Sequence, residues 1–491
     1  MELFDRILAS AAGITCDSRQ VAPGFIFVAV RGSSRDGNTY AADAAARGAV
    51  AIVSDRPASL PALAAPVVAV PDARRALGEL AARFHRHPSR SLSLIGVTGT
   101  NGKTTVTFML DHIFRHAGLR SGLIGTVCVR AGDRVHPSAL TTPDAASLQT
   151  YLAAMRDTGV SHAAMEVSAQ GIDQGRVDDV TFACGVITNI SPDHLDFPGG
   201  FDAYCAAKQG FPGLLGPAAP LVVNAADPLC RVLAAAHDPV VACAVDAPAD
   251  VAARVTGLAG GGSRFVLAFT RPLPGCGPAP GELAVTLPLP GRHNIENALM
   301  AATAAALCGI APATAAAALA SFRGVPRRFA VSRLAGLTVV DDTALNPASI
   351  DAVFHTLAAF SRRRLVVAFA IRGRRGPAIN TACADALARW WRAAPFTLIV
   401  TAAAGSVSAA DTVAGDEKSA FCEALGKAKV GYIFRETLAA AMEAAADAAG
   451  PGDLVTLLGA QGMDDGYRLL RRLLTGTTTA QPGTAAAGCP A

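Results

Sequence analysis

Short apolar runs alternate along the chain with longer, Ala-rich stretches of helical periodicity. FIFVAV (25–30), VAIVSD (50–55) and PVVAVPD (66–72) read as strands, up to the polar, Pro-containing HPSRSLS (87–93), which reads as a link. SLIGVTG (93–99), HAAMEVS (162–168), CGVITNIS (184–191) and PLVVNA (220–225) continue the pattern to about Phe322. Strands alternating with helices predict a mostly parallel sheet covered by helices. Beyond the turn-prone RGVPRR (323–328) a third block holds LTVVDD, RLVVAFA, FTLIVTA and DLVTLLGA, separated by helical stretches such as ADALARWWRAA and ETLAAAMEAAADAA. That is the pattern of another doubly wound unit. No fixed-period repeat is visible, and the last residues, GTTTAQPGTAAAGCPA, are low in complexity and expected to be disordered.

Composition narrows the class. A chain of 491 residues is too long for one core. With 51% hydrophobic, 17% charged and 5% aromatic residues and a net charge of +4, it has neither the basic patches nor the aromatic content of a dedicated nucleic-acid binder. Eleven cysteines without a CxxC pair argue against zinc or a disulfide framework and for reduced thiols. The first residues, MELFDRILASAAG, carry acidic side chains unlike a signal peptide, and no apolar run reaches membrane-spanning length. The expectation is a soluble, cytoplasmic protein with no nucleic-acid or membrane partner.

Chemistry concentrates first in GVTGTNGKTT (96–105), between the strand SLSLI and the helix VTFMLDHIFRHAG. A glycine-rich turn between strand and helix presents free backbone N–H groups and the positive end of the helix dipole to phosphate. Gly99 and Gly102 permit the tight turn, Lys103 can face β- and γ-phosphates, and Thr104 can offer a hydroxyl to Mg²⁺, with Thr100, Asn101 and Thr105 completing the loop. Val97 stands where the longer Walker pattern has its first glycine, and no NKxD follows to indicate guanine. Two further strand ends carry polar residues: Glu166 in EVSAQGIDQGRV, and His194, followed by Asp196 and Lys208, in VITNISPDHLDFPGGFDAYCAAKQGF. Ligands collect at such ends of a parallel sheet. Glu166 and His194 are reasonable ligands for a divalent ion, although singly His194 also suits a helix cap and Lys208 a surface position. The fold class is therefore α/β in three domains, with a central P-loop parallel sheet and a C-terminal Rossmann-like domain. The expected bounds are 1–90, 91–322 and 323–475, with a tail at 476–491.

These stretches, with DSRQVAPGFIFVAVRG, GLIGTV, LTTPDAASLQ, GRHNIENALMAATAA, GVPRRF and VVDDTALNPAS, resemble the Mur ligase family, in family order over most of residues 15–350. The likeness is to ligases that add the third residue of the peptidoglycan precursor peptide. It implies that ATP phosphorylates a substrate carboxylate and that an amine then displaces phosphate, in a chain expected to be monomeric. It further implies that Lys103 and Thr104 serve the γ-phosphate and Mg²⁺, that Glu166 and His194 bind metal, and that Lys208 is carbamylated. Asn294 and Asn297, three apart on one helix face, would reach the adenine, or else only cap the helix. Arg328 and Asp342 would meet phosphate and ribose when the third domain closes, with Asp341 an alternative in register. For a nucleotide-sugar peptide substrate the matching residues are Ser18, Arg19, Thr141, Thr142, Pro143, Ser168 and Arg176; TTPD also suits a helix start.

The third block departs from the family. Its DNPR-like motif and late GKGHE-like turn are absent, and AIRGRRGPAIN (370–380) and LLGAQGMDDG (457–466) stand in their place. Thr343 and Leu345 replace the usual tyrosine and histidine, Arg327 and Ala330 the usual glycine and glutamate, and Ala169 a serine. Arg372, Arg374 and Arg375 could bind a carboxylate or simply be solvated. Three readings follow: a third-residue ligase with unusual amine choice, a paralogue joining an amine to a different carboxylate, or a nucleotide-binding scaffold without turnover. Lys103, Glu166, His194 and Lys208 together speak against the scaffold.

Overall fold

The computed structural model describes residues 2–32, 35–193, 197, 199–274, 276 and 281–476. Three sheets follow one another along the chain. In the first, β1 (Gly13–Thr15), β2 (Phe25–Val28), β3 (Ala51–Ser54) and β4 (Val67–Ala69) lie side by side in sequence order, all parallel. Its core, around Ile26, Val28, Val53 and Leu80, also takes in Ala145 and Ala146 from the helix Ala145–Asp157, so this sheet is packed directly onto the next part of the chain.

The second sheet has eleven strands: β5 (Ser93–Thr98), β6 (Ser121–Ile124), β7 (Cys128–Ala131), β8 (Arg134–Pro137), β9 (His162–Glu166), β10 (Cys184–Ile187), β11 (Leu221–Asn224), β12 (Val240–Val245), β13 (Val251–Ala259), β14 (Gly262–Phe269) and β15 (Glu282–Leu287). Their order is β15-β14-β13-β12-β11-β10-β5-β9-β6-β7-β8. From β13 to β6 every pairing is parallel. These inner strands are almost wholly buried, as continuous apolar runs covered on both faces should be. β5 lies between β9 and β10, so the chain changes direction across the sheet there, and three consecutive strand ends open beside one another.

The antiparallel strands at both edges, β6-β7-β8 and β13-β14-β15, were not among the strands expected from the sequence. β14 alternates buried and open positions because one face meets solvent, and that weaker signal does not read as a buried strand. The stretch expected to be a polar link is also more structured than that. Pro88 and Ser89 are buried in a short 3₁₀ turn, and Ser89 Oγ accepts the Thr181 N–H at 3.0 Å.

The third sheet joins β16 (Ala330–Leu334), β17 (Leu337–Asp342), β18 (Leu365–Ala370), β19 (Thr397–Thr401), β20 (Tyr432–Arg435) and β21 (Leu454–Leu458) in the order β16-β17-β21-β18-β19-β20. All pairs but β16–β17 are parallel, and helices cover both faces with separate apolar cores, as in a Rossmann-like unit. Residues 477–491, which include almost all of the tail expected to be disordered, lie outside the described residues.

Candidate functional site

The loop between β5 and the helix Lys103–His116 depends on two glycines. Gly99 has φ +137° and Gly102 φ +89°, conformations that L side chains rarely adopt. A Cβ on Gly99 would lie 2.0 Å from Thr188 Oγ1, and one on Gly102 2.4 Å from Asn297 Oδ1. The loop is therefore held between the end of β10 and the helix Arg292–Leu307. Asn189 locks it from below: its O accepts the Thr100 N–H at 2.7 Å and its Oδ1 the Asn101 N–H at 2.9 Å. Thr188 Oγ1 donates to Asn101 O at 2.6 Å, and Tyr204 OH lies 3.1 Å from Thr100 Oγ1.

Two lysines converge on this loop. Lys103 Nζ donates to Gly99 O and Thr100 O at 2.9 and 3.0 Å, while Lys208 Nζ donates to the same Gly99 O at 2.8 Å and to Thr98 Oγ1 at 3.3 Å. Lys208, in the last turn of the helix Gly200–Gln209, is 1% exposed and lies 4.8 Å from the Tyr204 ring. Withdrawal from water pulls both lysines below their ordinary range, Lys208 well below it, and the neighbouring Lys103 charge pushes it further the same way. Lys208 is thus biased toward the neutral amine.

Glu166, at the end of β9, is 1% exposed and fully engaged. Its Oε1 accepts the Thr126 N–H at 2.8 Å, and its Oε2 accepts the Thr104 and Thr126 hydroxyls, both at 3.1 Å. Thr141 Oγ1 lies 3.0 Å from Thr126 Oγ1. From the third sheet, Arg328 reaches across and donates through Nη2 to Thr104 Oγ1 at 3.2 Å, with Nη1 on Thr343 Oγ1. Asp342, at the end of β17, accepts the Phe329 N–H at 2.6 Å; burial raises its carboxyl to about 6 against the opposing pull of Arg328.

A family model described as the Mur ligase middle domain matches residues 97–305. Others described as Mur ligase, glutamate ligase domain, and as Mur ligase family, catalytic domain, match 327–461 and 10–85. The chain belongs to the Mur ligase family. The UDP-N-acetylmuramoyl-L-alanyl-D-glutamate--2,6-diaminopimelate ligase of Geobacillus thermodenitrificans is 39% identical over 392 residues, which are 78% of this chain and 77% of the relative. The protein of that name from Xanthomonas campestris pv. campestris is 38% identical over 377 residues, 74% of this chain and 73% of the relative. Among solved structures, MurF from Acinetobacter baumannii shares the fold at a TM-score of 0.71 and 22% identity, covering 96% of this chain and 98% of its own.

In this Mur ligase the residues singled out from the sequence fall into two neighbouring groups. Thr100, Asn101, Lys103, Thr104, Glu166, Lys208 and Arg328 lie within one network around the loop, with Asn297 packed on Gly102. Asn294 faces its own helix start, donating to Pro290 O at 2.8 Å. His194 lies outside the described residues. The second group borders the first sheet. Thr142 Oγ1 donates to Glu166 O at 2.8 Å and accepts the Ser168 N–H at 3.0 Å, and Arg176 donates to Thr142 O at 2.6 Å. Pro143 is buried, and it is Asp144 that caps the following helix. Ser18 is buried, whereas Arg19 extends into solvent paired with Asp17.

Thr126, Asn189, Asp193, Tyr204 and Asn346 escaped the sequence reading. Thr126 falls in the quoted GLIGTV, and a threonine after a strand gives no signal of its own. Asn346 had one, an Asn-Pro pair that starts the helix Pro347–Leu357 with a capping box. The sequence also left Arg372 open as a ligand for a substrate carboxylate. In the fold its Nη1 donates to Asp193 Oδ1 at 2.7 Å, and both side chains are buried.

Proposed function

We propose that this chain is an ATP-dependent amide-bond-forming ligase that adds an amino acid to UDP-N-acetylmuramoyl-L-alanyl-D-glutamate in peptidoglycan precursor synthesis. The observation that carries the reading is the Thr104 hydroxyl at the phosphate loop, held from the central sheet by Glu166 and from the third sheet by Arg328. A site assembled from two domains around a nucleotide loop suits a reaction whose intermediate must be kept from water.

A carboxylate is a poor electrophile. Its oxygen attacks the γ-phosphorus of ATP, ADP departs, and the acyl phosphate so formed loses phosphate when the amine attacks the acyl carbon. Catalysis then rests on positioning and on neutralising charge. In this reading the loop residues 99–105 cradle the phosphates, Lys103 and Arg328 face the transferred group, and Asn294, Asn297 and Asp342 hold adenine and ribose. Ser18, Arg19, Thr141, Thr142, Pro143, Ser168 and Arg176 hold the nucleotide-sugar peptide. Residues 1–90, 91–322 and 323–475 are the substrate, ATP and amine domains of a cytoplasmic monomer.

The oxygen-rich surroundings of Thr104, with the Glu166 carboxylate and the Thr126 hydroxyl, fit a hard divalent cation. Mg²⁺ would be held by Thr104 and Glu166, with His194 and Lys208 completing the set, and would neutralise phosphate charge. The neutral amine favoured at Lys208 is the form that adds CO₂, releasing a proton and giving a carbamate whose oxygens suit that cation.

ADP and phosphate release over a panel of amino acids, with the muramyl dipeptide nucleotide present or withheld, tests the proposal. Release is expected only with both the nucleotide and one amine present. A second reading, a paralogue acting on another carboxylate, draws on the third domain, where AIRGRRGPAIN and LLGAQGMDDG stand in place of the family's amino-acid motifs. Amine-stimulated release that ignores the nucleotide would favour it.

A further inference from the structure

The central and third domains meet in a small buried polar cluster away from Thr104. Asp193, in the loop after β10, accepts Arg372 Nη1 at 2.7 Å on Oδ1 and Asn346 Nδ2 at 3.0 Å on Oδ2. Side-chain exposure is 8% for Arg372 and 3% for Asp193, and Asn346 is fully buried. Asn346 also exchanges amide hydrogen bonds with Asn101 of the phosphate loop, at 3.1 and 3.3 Å. Two side chains of the third domain thus take one central carboxylate and one loop amide.

Arg372 is presented by a rigid frame. Asn380 Oδ1 accepts its N–H at 3.1 Å and Asn380 Nδ2 donates to its carbonyl at 2.8 Å. The buried Glu417 carboxylate accepts the N–H groups of Arg374, Arg375 and Gly376 at 3.0, 2.7 and 2.7 Å, with that of Ala414 at 2.8 Å. A Cβ on Gly373 would strike Asp411 O at 2.0 Å, so the loop lies flat under residue 411. Such a support fixes where the guanidinium points without involving any substrate group.

The Asp193 charge also acts on Lys103 of the phosphate loop. Without the third domain the Asp193 charge bears on Lys103 of the loop; when the domain docks, Arg372 takes that carboxylate. A buried carboxylate that loses a partner is strongly penalised, so the exchange is steep rather than gradual. We propose that Arg372 is a positioning residue: by taking Asp193 on docking of the third domain, together with the Asn346–Asn101 pair, it frees the charge of Lys103 for phosphate. This rests on the reading of a third domain that closes over nucleotide.

The test uses the full chain as Arg372→Gln, Arg372→Lys, Asp193→Asn and the double variant Arg372→Gln/Asp193→Asn. Small-angle scattering with a non-hydrolysable ATP analogue and Mg²⁺ reads closure without needing turnover, and steady-state kinetics read kcat and the KM for ATP. Arg372→Gln is expected to stay more extended with the analogue, raise the KM for ATP and lower kcat about a hundredfold. Removing the Asp193 charge as well should recover part of the compaction and of the ATP KM, and Arg372→Lys should fall between wild type and Arg372→Gln. Should Arg372→Gln fail to fold, the lysine variant and Asp193→Asn carry the comparison. Wild-type closure and KM in Arg372→Gln or Arg372→Lys, or a double variant no better than Arg372→Gln, overturns the proposal. If the wild type compacts in an Arg372-dependent way yet forms no amide, the ligase reading fails and this one stands.

Discussion

Lys208 sits where a free ammonium is electrostatically awkward, beside Lys103 and 1% exposed. The carbamate proposed for it predicts a specific loss and rescue. Lys208→Ala should lower turnover at least about a hundredfold, the scale of losing one preorganised electrostatic contact, and added formate or acetate should restore part of it. Turnover unchanged by the substitution removes the carbamate. Asp342 supplies a pH signature. Its carboxyl stands at about 6 in the folded chain against an ordinary 3.8, so the folded state holds the proton more tightly than the unfolded one. The stability it lends is complete below about pH 4 and is lost as pH rises through 6, up to about 3 kcal/mol in all. Asp342→Asn should therefore gain on the wild type in thermal unfolding as pH goes from 4 to 7. A difference that does not vary with pH would show Asp342 titrating normally.

Elements join these residues in ways that chain order alone hides. Arg327 has φ +60°, a conformation usual for glycine, the residue that the resemblance to the family puts at this position. Its guanidinium donates to Gly459 O at 2.6 Å, Ala460 O at 3.2 Å and Asp341 Oδ1 at 3.3 Å, and also reaches Asp464. Two departures from the family, Arg327 and the turn after β21, are thus one structural unit. Arg327→Gly relieves backbone strain of about 1–2 kcal/mol but leaves two carboxylates and two carbonyls without this donor, at about 1–3 kcal/mol for each group that stays buried. The third domain should unfold at lower temperature and amide exchange at 459–464 should speed up. A stabilised variant would mean that the contacts contribute little.

That pairing marks the boundary of what the sequence discloses. The phosphate loop was legible because glycine spacing, a preceding strand and a following helix are all local, and Glu166 because it ends a strand. Arg372 was legible as a basic residue in a loop but not as Asp193's partner, because the two are brought together only when separate sheets dock. Likewise the edge strands β13 to β15 carry a half-exposed alternation that a search for buried apolar runs passes over.

At the scale of the whole molecule, three sheets surround one reaction path: the first abuts the helix that follows Pro143, the second carries the loop, and the third reaches back through Arg328, Asn346 and Arg372. That arrangement suits a chain that binds a nucleotide sugar on one side, ATP in the centre and an amine on closure. The chemistry proposed for this chain requires a carboxylate activated by phosphorylation. Oxygen-18 placed in the carboxylate of the muramyl dipeptide nucleotide tests it most directly, with the released phosphate read by mass spectrometry during amide formation. One labelled oxygen per phosphate is the predicted result; amide formed with unlabelled phosphate would contradict it.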